Sequence, residues 1–352
     1  MSGSFVYLHQ GKVMLRINST LAIIASLLFP ALASAAQPTT ATGYAIYGAG
    51  NVELTSYSTS IGPIYAGGNL ALDFGYGIQR SSQNSGDMYA RGNLTLGNLS
   101  DVTGNLYANH SVTLGNDESV TGNIRYGTGY TNGSSFNTIG GTTTQQFDTV
   151  APVGLPKATS FTPGFTDAIH STSFSLAPGS YGAVTESGLF ESVHLTSGTY
   201  YLNSLSLLDS TSLYLDFNGT QPIKVYVQGD IKIDSGFNVY VNGVAVGNGN
   251  NGLQTGYAGL TLFETHGNFT MGSGFLNYFY GTIFAPQGSV TMNVQDMFGS
   301  IIAGGDIKGN VYMDERSSQL VTAPEPSTIA LVAIAIPGLA LLALRRRKSA
   351  VA

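Results

Sequence analysis

Hydrophobic and polar positions between residues 46 and 126 follow one recurring phrase: apolar, Tyr, small, any, Gly, Asn or Asp, apolar, any, apolar. It is written out as Ile46-Tyr47-Gly48-Ala49-Gly50-Asn51-Val52-Glu53-Leu54, as Ile64-Tyr65-Ala66-Gly67-Gly68-Asn69-Leu70-Ala71-Leu72, and as Met88-Tyr89-Ala90-Arg91-Gly92-Asn93-Leu94-Thr95-Leu96. Leu106-Tyr107-Ala108 with Val112-Thr113-Leu114 is a fourth copy, and Ile124-Arg125-Tyr126 opens a fifth. The starts at 46, 64, 88, 106 and 124 are separated by 18, 24, 18 and 18 residues. Downstream, residues 225–233 restate the phrase, 301–307 repeat it with Ile302 in the tyrosine place, and 262–271 and 283–292 are one residue longer. Leu176 to Tyr181 and Leu195 to Tyr200 match each other at a spacing of 19.

A fixed period of this size marks a stack of short units, none of which can bury a face alone. Alternation within the phrase turns its first, third, seventh and ninth positions inward and its tyrosines outward, one above another. The Gly-Asn or Gly-Asp hinge joins two short strands, glycine supplying backbone freedom and the Asn or Asp side chain satisfying local backbone groups. Eighteen residues at roughly 3.3 Å each give a perimeter near 60 Å, the size of one three-sided coil, with neighbouring coils supplying the missing hydrogen bonds. The predicted fold is all-β, a parallel β-helix (β-solenoid) of about 18 residues per coil; the alternative is a β-sandwich of hairpins. The expected division is N-terminal repeats over 36–126, a Gly/Thr/Asn-rich loop or linker over 127–170, and C-terminal repeats over 171–320.

The two ends read as addresses. Residues 1–35 form a secretory signal peptide, with Met14 a candidate true start, an apolar run from Leu21 to Phe29, and Ala33 and Ala35 placing an A-x-A cleavage site before Ala36. Residues 321–352 hold Pro324-Glu325-Pro326, a largely apolar stretch over 329–344 and a basic cluster of Arg345, Arg346, Arg347 and Lys348. As a helix the apolar stretch would be about 24 Å long, and the basic cluster would stay cytoplasmic. This tail resembles the PEP-CTERM sorting signal of Gram-negative bacteria. The resemblance implies recognition by an exosortase-type membrane protease, cutting near Pro324-Glu325-Pro326, and release outward in exopolysaccharide-producing cells. A tail of this kind is also labelled as the C-terminal part of an ice-binding protein, a label that describes sorting. The body, from Tyr44-Ala45-Ile46-Tyr47 through Gly62-Pro63-Ile64-Tyr65-Ala66-Gly67-Gly68-Asn69-Leu70, with residues 281–286 and 299–304, is similar to the choice-of-anchor A domain. That family implies a secreted surface protein without established enzymatic activity.

Composition narrows the chemistry. Only 10% of the 352 residues are charged, against about 25% in ordinary soluble domains. There is no cysteine, which excludes a disulfide framework, thiolate metal sites and cysteine nucleophiles. Between residues 36 and 323 eight basic residues face nineteen acidic ones, a net charge of −11. Such a body lacks the cations that phosphate neutralisation requires, so nucleic acid is not an expected partner.

His110, His170, His194 and His266 fall in no zinc-binding spacing and read as surface or loop residues. No G-x-S-x-G elbow precedes a helical pattern. Asp296, Asp306, Asp314 and Glu315 are the nearest approach to the carboxylate pair of a glycosidase, but Asp306 fills the hinge place that Asn51, Asn69, Asn93 and Asp230 also fill. Gly304-Gly305-Asp306 matches one fragment of a calcium-binding nonapeptide, without the tandem copies such a site uses. No catalytic residue, metal ligand or cofactor is therefore assigned. The candidate glycan contacts are the stacked, outward Tyr47, Tyr65, Tyr89 and Tyr107. An ice-binding face would need a regular array of threonines, whereas the eighth phrase position reads Glu53, Ala71, Thr95, Thr113 and Lys232.

The expected function is that of an exported, non-enzymatic structural or adhesive surface or matrix protein. It would pass through the Sec machinery, signal peptidase and an exosortase-type protease, be held at the inner membrane transiently or permanently, associate with exopolysaccharide, and pair with itself through open strand edges. The alternative is a polysaccharide lyase or glycosidase on the same scaffold.

Overall fold

In the computed structural model the described residues are 37–313, apart from 56–57, 59, 73–81, 247–254 and 273–276. The signal segment with Ala33 and Ala35, the tail with Pro324, Glu325, Pro326, Arg345, Arg346 and Arg347, and Asp314 and Glu315 all lie outside them. Short strands of the repeated phrase pair with the same strand one coil away, Ile46 with Ile64, Ile64 with Met88, Met88 with Leu106 and Leu106 with Ile124, all in parallel. Among the described residues these ladders build two long sheets, of twelve and thirteen strands, and two five-stranded sheets on the third side. The fold is a β-solenoid. A sandwich of hairpins would need antiparallel ladders, and among the described strands Asn238–Val241 with Val244–Ala245 is the antiparallel pair.

The alternation sorts inside from outside as read. Ile46, Val52 and Leu54, with their equivalents Ile64, Leu70 and Leu72, are buried in one continuous core that runs the length of the stack. The hinge residues stack as well: the side-chain oxygen of Asn51 accepts the backbone N–H of Asn69 at 2.8 Å, Asn69 that of Asn93 at 2.9 Å, and Asn93 that of Ser111 at 3.2 Å. Each hinge thus satisfies a donor of the next coil that the turn leaves outside the ladder.

Connectivity departs from a simple winding. The first strand, Ile46–Gly48, lies between Ile64–Ala66 and the late strand Ile301–Ala303, and Val52 pairs with Ile307. The chain therefore enters at the middle of the stack, coils outward to Thr143–Gln145, returns along the outside, and coils inward again from Ala168–His170 to Ile307–Met313. Coils of the returning half vary in length: matching positions run Gly179, Tyr200, Val225, Phe263, Ile283 and Ile301, and the register is kept across these unequal steps. At one corner coils approach too closely for a side chain. Gly299 has φ +145°, and a Cβ there would collide with the carbonyl oxygen of Gly281.

The loop or linker expected over 127–170 is corrected at its bounds, since strands occupy both ends of that span. Residues 127–145 form a further coil, Gly129–Asn132, Thr138–Ile139 and Thr143–Gln145, paired onto the coil before it. The pattern was invisible because this terminal coil offers Thr, Asn and Gln where inner coils offer aliphatics. Residues 146–163 are a strap laid lengthwise on the twelve-stranded sheet. Val150 bonds with Asn109 beside the Tyr107 rung, and Gly164 with Tyr181 beside the Ser180 rung. Nine steps between rungs at about 4.8 Å span about 43 Å, and fourteen extended residues at about 3.3 Å reach about 46 Å. The strap is thus close to fully extended, which suits Pro152 and Pro156.

Candidate functional site

A solenoid of this kind offers its outward columns as surfaces, and the register lines up each of them. On the twelve-stranded sheet the column reads Ser180, Tyr201, Tyr226, Glu264, Phe284, Ile302, Tyr47, Tyr65, Tyr89, Tyr107, Arg125 and Thr144. The four predicted tyrosines do point away from the core and do stack, Tyr47 on Tyr65 with centroids 4.9 Å apart and Tyr89 on Tyr107 at 4.9 Å. They are nevertheless buried, at 2–4% exposure, together with Tyr44, Val150 and Val153. Tyr47 donates its hydroxyl to the Val153 carbonyl at 2.7 Å, and the Val153 N–H donates to the Tyr65 hydroxyl at 3.3 Å. Burial raises the pKa of the Tyr47, Tyr65 and Tyr89 hydroxyls, so they stay neutral phenols. The expectation that Tyr47, Tyr65, Tyr89 and Tyr107 meet a glycan is corrected: the strap occupies the surface that a ligand would need.

Further along the same column the strap is pinned by a buried carboxylate. Glu264 accepts the Thr159 N–H at 2.5 Å and the Thr159 hydroxyl at 2.7 Å. His266 lies 3.4 Å from Glu264 and 5.1 Å, ring to ring, from Phe161 of the strap. It is covered rather than superficial. Two more buried carboxylates serve the turns: Glu118 accepts the Ser100 N–H at 3.0 Å, and Glu186 accepts the Thr211 hydroxyl at 2.7 Å. Asp306 is a hinge rung, accepting the Asn51 N–H, while Asp296 lies on the strand Val290–Phe298 opposite Tyr278. Among the described residues no group of three His, Asp or Glu side chains converges on a metal-sized point.

Among the described residues no strap lies on the thirteen-stranded sheet. Its outward column runs Thr131, Thr113, Thr95, Ala71, Glu53, Lys308, Thr291, Thr270, Lys232, Ser206, Thr185 and Ile169. Five of the six threonines fall in two uninterrupted runs, separated at the centre by Ala71 and by the Glu53–Lys308 pair at 3.8 Å, and Thr185 stands apart beyond Lys232 and Ser206. Thr113 and Thr185 are half-buried, while Thr95, Thr131, Thr270 and Thr291 are exposed. The column is richer in threonine than the five positions read from the sequence, because the register recruits Thr131, Thr185, Thr270 and Thr291 from less regular coils.

A third column escaped the sequence reading. On the third side of the returning half, Ser175, His194, Tyr214 and Tyr240 stand in register. The His194 and Tyr214 rings stack at 4.3 Å and the Tyr214 and Tyr240 rings at 4.5 Å. His194 also meets Asp216 at 3.1 Å, with about a third of its side chain exposed. Its signal was the alternation in 192–196 and 212–216, at a step of 20 rather than 18. In any such ladder the rings turn their faces to each other and only their edges to solvent. A face for a sugar ring is left only where a ladder ends.

Among solved structures the chain is similar to an ice binding protein from an Antarctic bacterium, Flavobacteriaceae, with 14% identity over 77% of this chain and 78% of that one and a TM-score of 0.25. No curated protein matches it. The model of one family, described as "Putative Ice-binding-like adhesive domain", matches residues 38–310. That span takes in both halves of the solenoid and the strap between them, and the chain belongs to this family of ice-binding-like adhesive domains.

Proposed function

We propose that this protein is an exported, non-enzymatic adhesive module that meets an extended, repetitive partner through the open face of its solenoid. The observation that carries the reading is the contrast between the two long sheets. One outward column is mostly aromatic or apolar and is covered along much of its length by the chain's own strap, whereas the other is mostly Thr, Ser, Lys and Glu over twelve rungs and no described segment covers it. Rungs about 4.8 Å apart present small, similar contacts over about 50 Å. Each contact is weak, and their sum rises steeply when the partner repeats as well. Membership of an adhesive family supports a surface location and a binding rather than a catalytic role.

The same reading includes sorting and assembly. The N-terminal segment directs export through the Sec machinery and signal peptidase, and the tail, resembling a PEP-CTERM signal, hands the body to an exosortase-type protease and on to the exopolysaccharide. The likeness of the body to the choice-of-anchor A domain agrees with this route. At the two ends of the stack, Thr143–Gln145 and Gly179–Ser180 are the last described strands of the same sheet, edges that suit end-to-end self-association. Two measurements test the proposal. Intact mass of the native protein should give a species that begins near Ala36, ends near Pro324 and lies outside the membrane fraction. Arginine at Thr95, Thr113 and Thr270 should lower retention of the protein on matrix-coated surfaces at unchanged melting temperature, and full retention by that variant would overturn the role of the open face.

A further inference from the structure

The strap leaves one stretch of its column incompletely covered. Beyond Glu264, between Thr159–Thr162 and the sheet, lies an open-sided groove of about 400 Å³, whose lining includes Phe161 and Tyr226 together with Ser160, Thr199, Tyr201 and Lys224. Its size falls in the range of small-ligand sites. Two sheet rungs build its floor: Thr199 is the register neighbour of Lys224, and Tyr201 of Tyr226. Tyr201 and Tyr226 stack at 5.6 Å, and Phe161 sits 5.7 Å from each.

Two features set this groove apart. First, the aromatic ladder ends here. The rung after Tyr201 is Ser180, so no ring of the ladder stacks on the side of Tyr201 turned away from Tyr226, and Tyr201 is only partly buried. Second, Lys224 is a half-buried cation in a body of net charge −11, yet among the described residues no carboxylate lies within ion-pair distance of it. Lys232 and Lys308, on the open face, each have such a partner at 3.8 Å, Asp234 and Glu53 respectively. An aromatic face, several hydroxyls and one unclaimed ammonium converge on a single groove.

We propose that this groove is a subsite for an acidic sugar residue of a polysaccharide. The Tyr201 face takes the apolar face of the pyranose, Lys224 takes its carboxylate, and Thr199, Ser160 and Thr162 hydrogen-bond its hydroxyls. A free inorganic anion would use the lysine and leave the ring idle; a neutral sugar would use the ring and leave the lysine uncompensated. The assignment rests on the adhesive reading and gives it a ligand class.

The test is calorimetric titration of the purified protein with tetramers of galacturonate, glucuronate and mannuronate, each beside its carboxyl-reduced counterpart. At least one acidic tetramer should bind about tenfold more tightly than its reduced form, the range of one charged hydrogen bond. Lys224→Gln should remove that preference and leave the reduced form unaffected, Tyr201→Ala should weaken both, and Arg91→Gln, an exposed cation outside both the groove and the open column, should change neither. Melting temperature and circular dichroism establish that each variant is folded. Equal binding of all acidic and reduced forms, or an unaltered preference in both Lys224→Gln and Lys224→Met, would overturn the subsite. Retention on matrix-coated surfaces is measured in parallel: if it persists in Lys224→Gln while the titrations show no preference, the subsite fails and the adhesive reading stands.

Discussion

The backbone N–H of Asn51 donates to the Asp306 carboxylate at 2.7 Å across a sequence separation of 255 residues. This bond lies on the seam where the first coil of the chain meets the last. It is one rung of a spine that runs on both sides of the seam: Asp230 accepts from Asn268, Asn268 from Ser289, Ser289 from Asp306, Asp306 from Asn51 and Asn51 from Asn69. Two halves, one wound outward from the seam and the other wound inward to it, therefore join without a break in hinge, sheet or core.

Asp306→Ala should weaken that seam. An exposed, charge-assisted bond of this kind contributes about 1 kcal/mol, and its loss leaves the Asn51 N–H to water. We expect a lower melting temperature, with Asp306→Asn close to wild type because an amide oxygen serves at the equivalent hinges of Asn51 and Asn69. Equal melting of Asp306→Ala and wild type would show that the seam is held by strand pairing alone.

The buried tyrosines lead to a stability prediction in place of a glycan one. Truncating a large buried aromatic costs about 3–5 kcal/mol, and Tyr65 also anchors Val153 of the strap. Tyr65→Ala with Tyr89→Ala should unfold at distinctly lower denaturant, by less than the sum of the single changes because both rings pack against Tyr44. Limited proteolysis should then cut first within residues 146–163. Wild-type melting and strap protection in the double variant would contradict this assignment.

What the sequence makes legible follows from what alternation can encode. Ile46, Val52 and Leu54 declare their inward direction because the period-2 rule needs only local information, and the hinge role of Asp306 is visible in its likeness to Asn51. Whether Tyr47 is open or covered depends on Val153, more than a hundred residues away, and no local pattern carries that. The coil over 127–145 hides because its inward places hold Thr143 and Gln145 at the end of the core. The His194–Tyr214–Tyr240 column hides because insertions of unequal length, absorbed by turns, destroy the 18-residue step without disturbing the register. The entry of the chain at the middle of the stack is likewise a long-range fact, set by the pairing of Ile46 with Ile301.

Glu118 predicts an unusual pH dependence. It is 1% exposed, and burial pushes its carboxyl up to about 8 from 4.5, with the Ser100 hydrogen bonds opposing and Asp101 and Asp117 adding to the rise. Between those values the folded chain holds the proton and the unfolded chain has lost it. The folded state binds more protons, so this group's contribution to stability falls as pH rises from about 4.5 to about 8 and is level outside that window. Glu118→Gln should flatten this slope and melt higher than wild type at pH 8. Parallel pH–stability curves for the two proteins would refute the assignment.

The open face makes the last prediction, since its threonines invite the question of ice. Thr95, Thr113 and Thr131 form one run and Thr270 and Thr291 another, but Glu53 and Lys308 stand between them with about half of each side chain exposed. Ionised groups order water around themselves, whereas a surface that matches a lattice must repeat the same small group at every rung. The wild-type face should therefore produce no measurable thermal hysteresis while still adhering to a hydrated matrix. Replacing Ala71, Glu53 and Lys308 by threonine would join the runs into eight consecutive rungs, from Thr131 to Thr270. That variant should gain hysteresis and, having lost its central ion pair, bind the matrix differently. Hysteresis in the wild type would mean that two short runs suffice and that the central charges are tolerated; none in the variant would mean that regularity of this column is not what limits the surface.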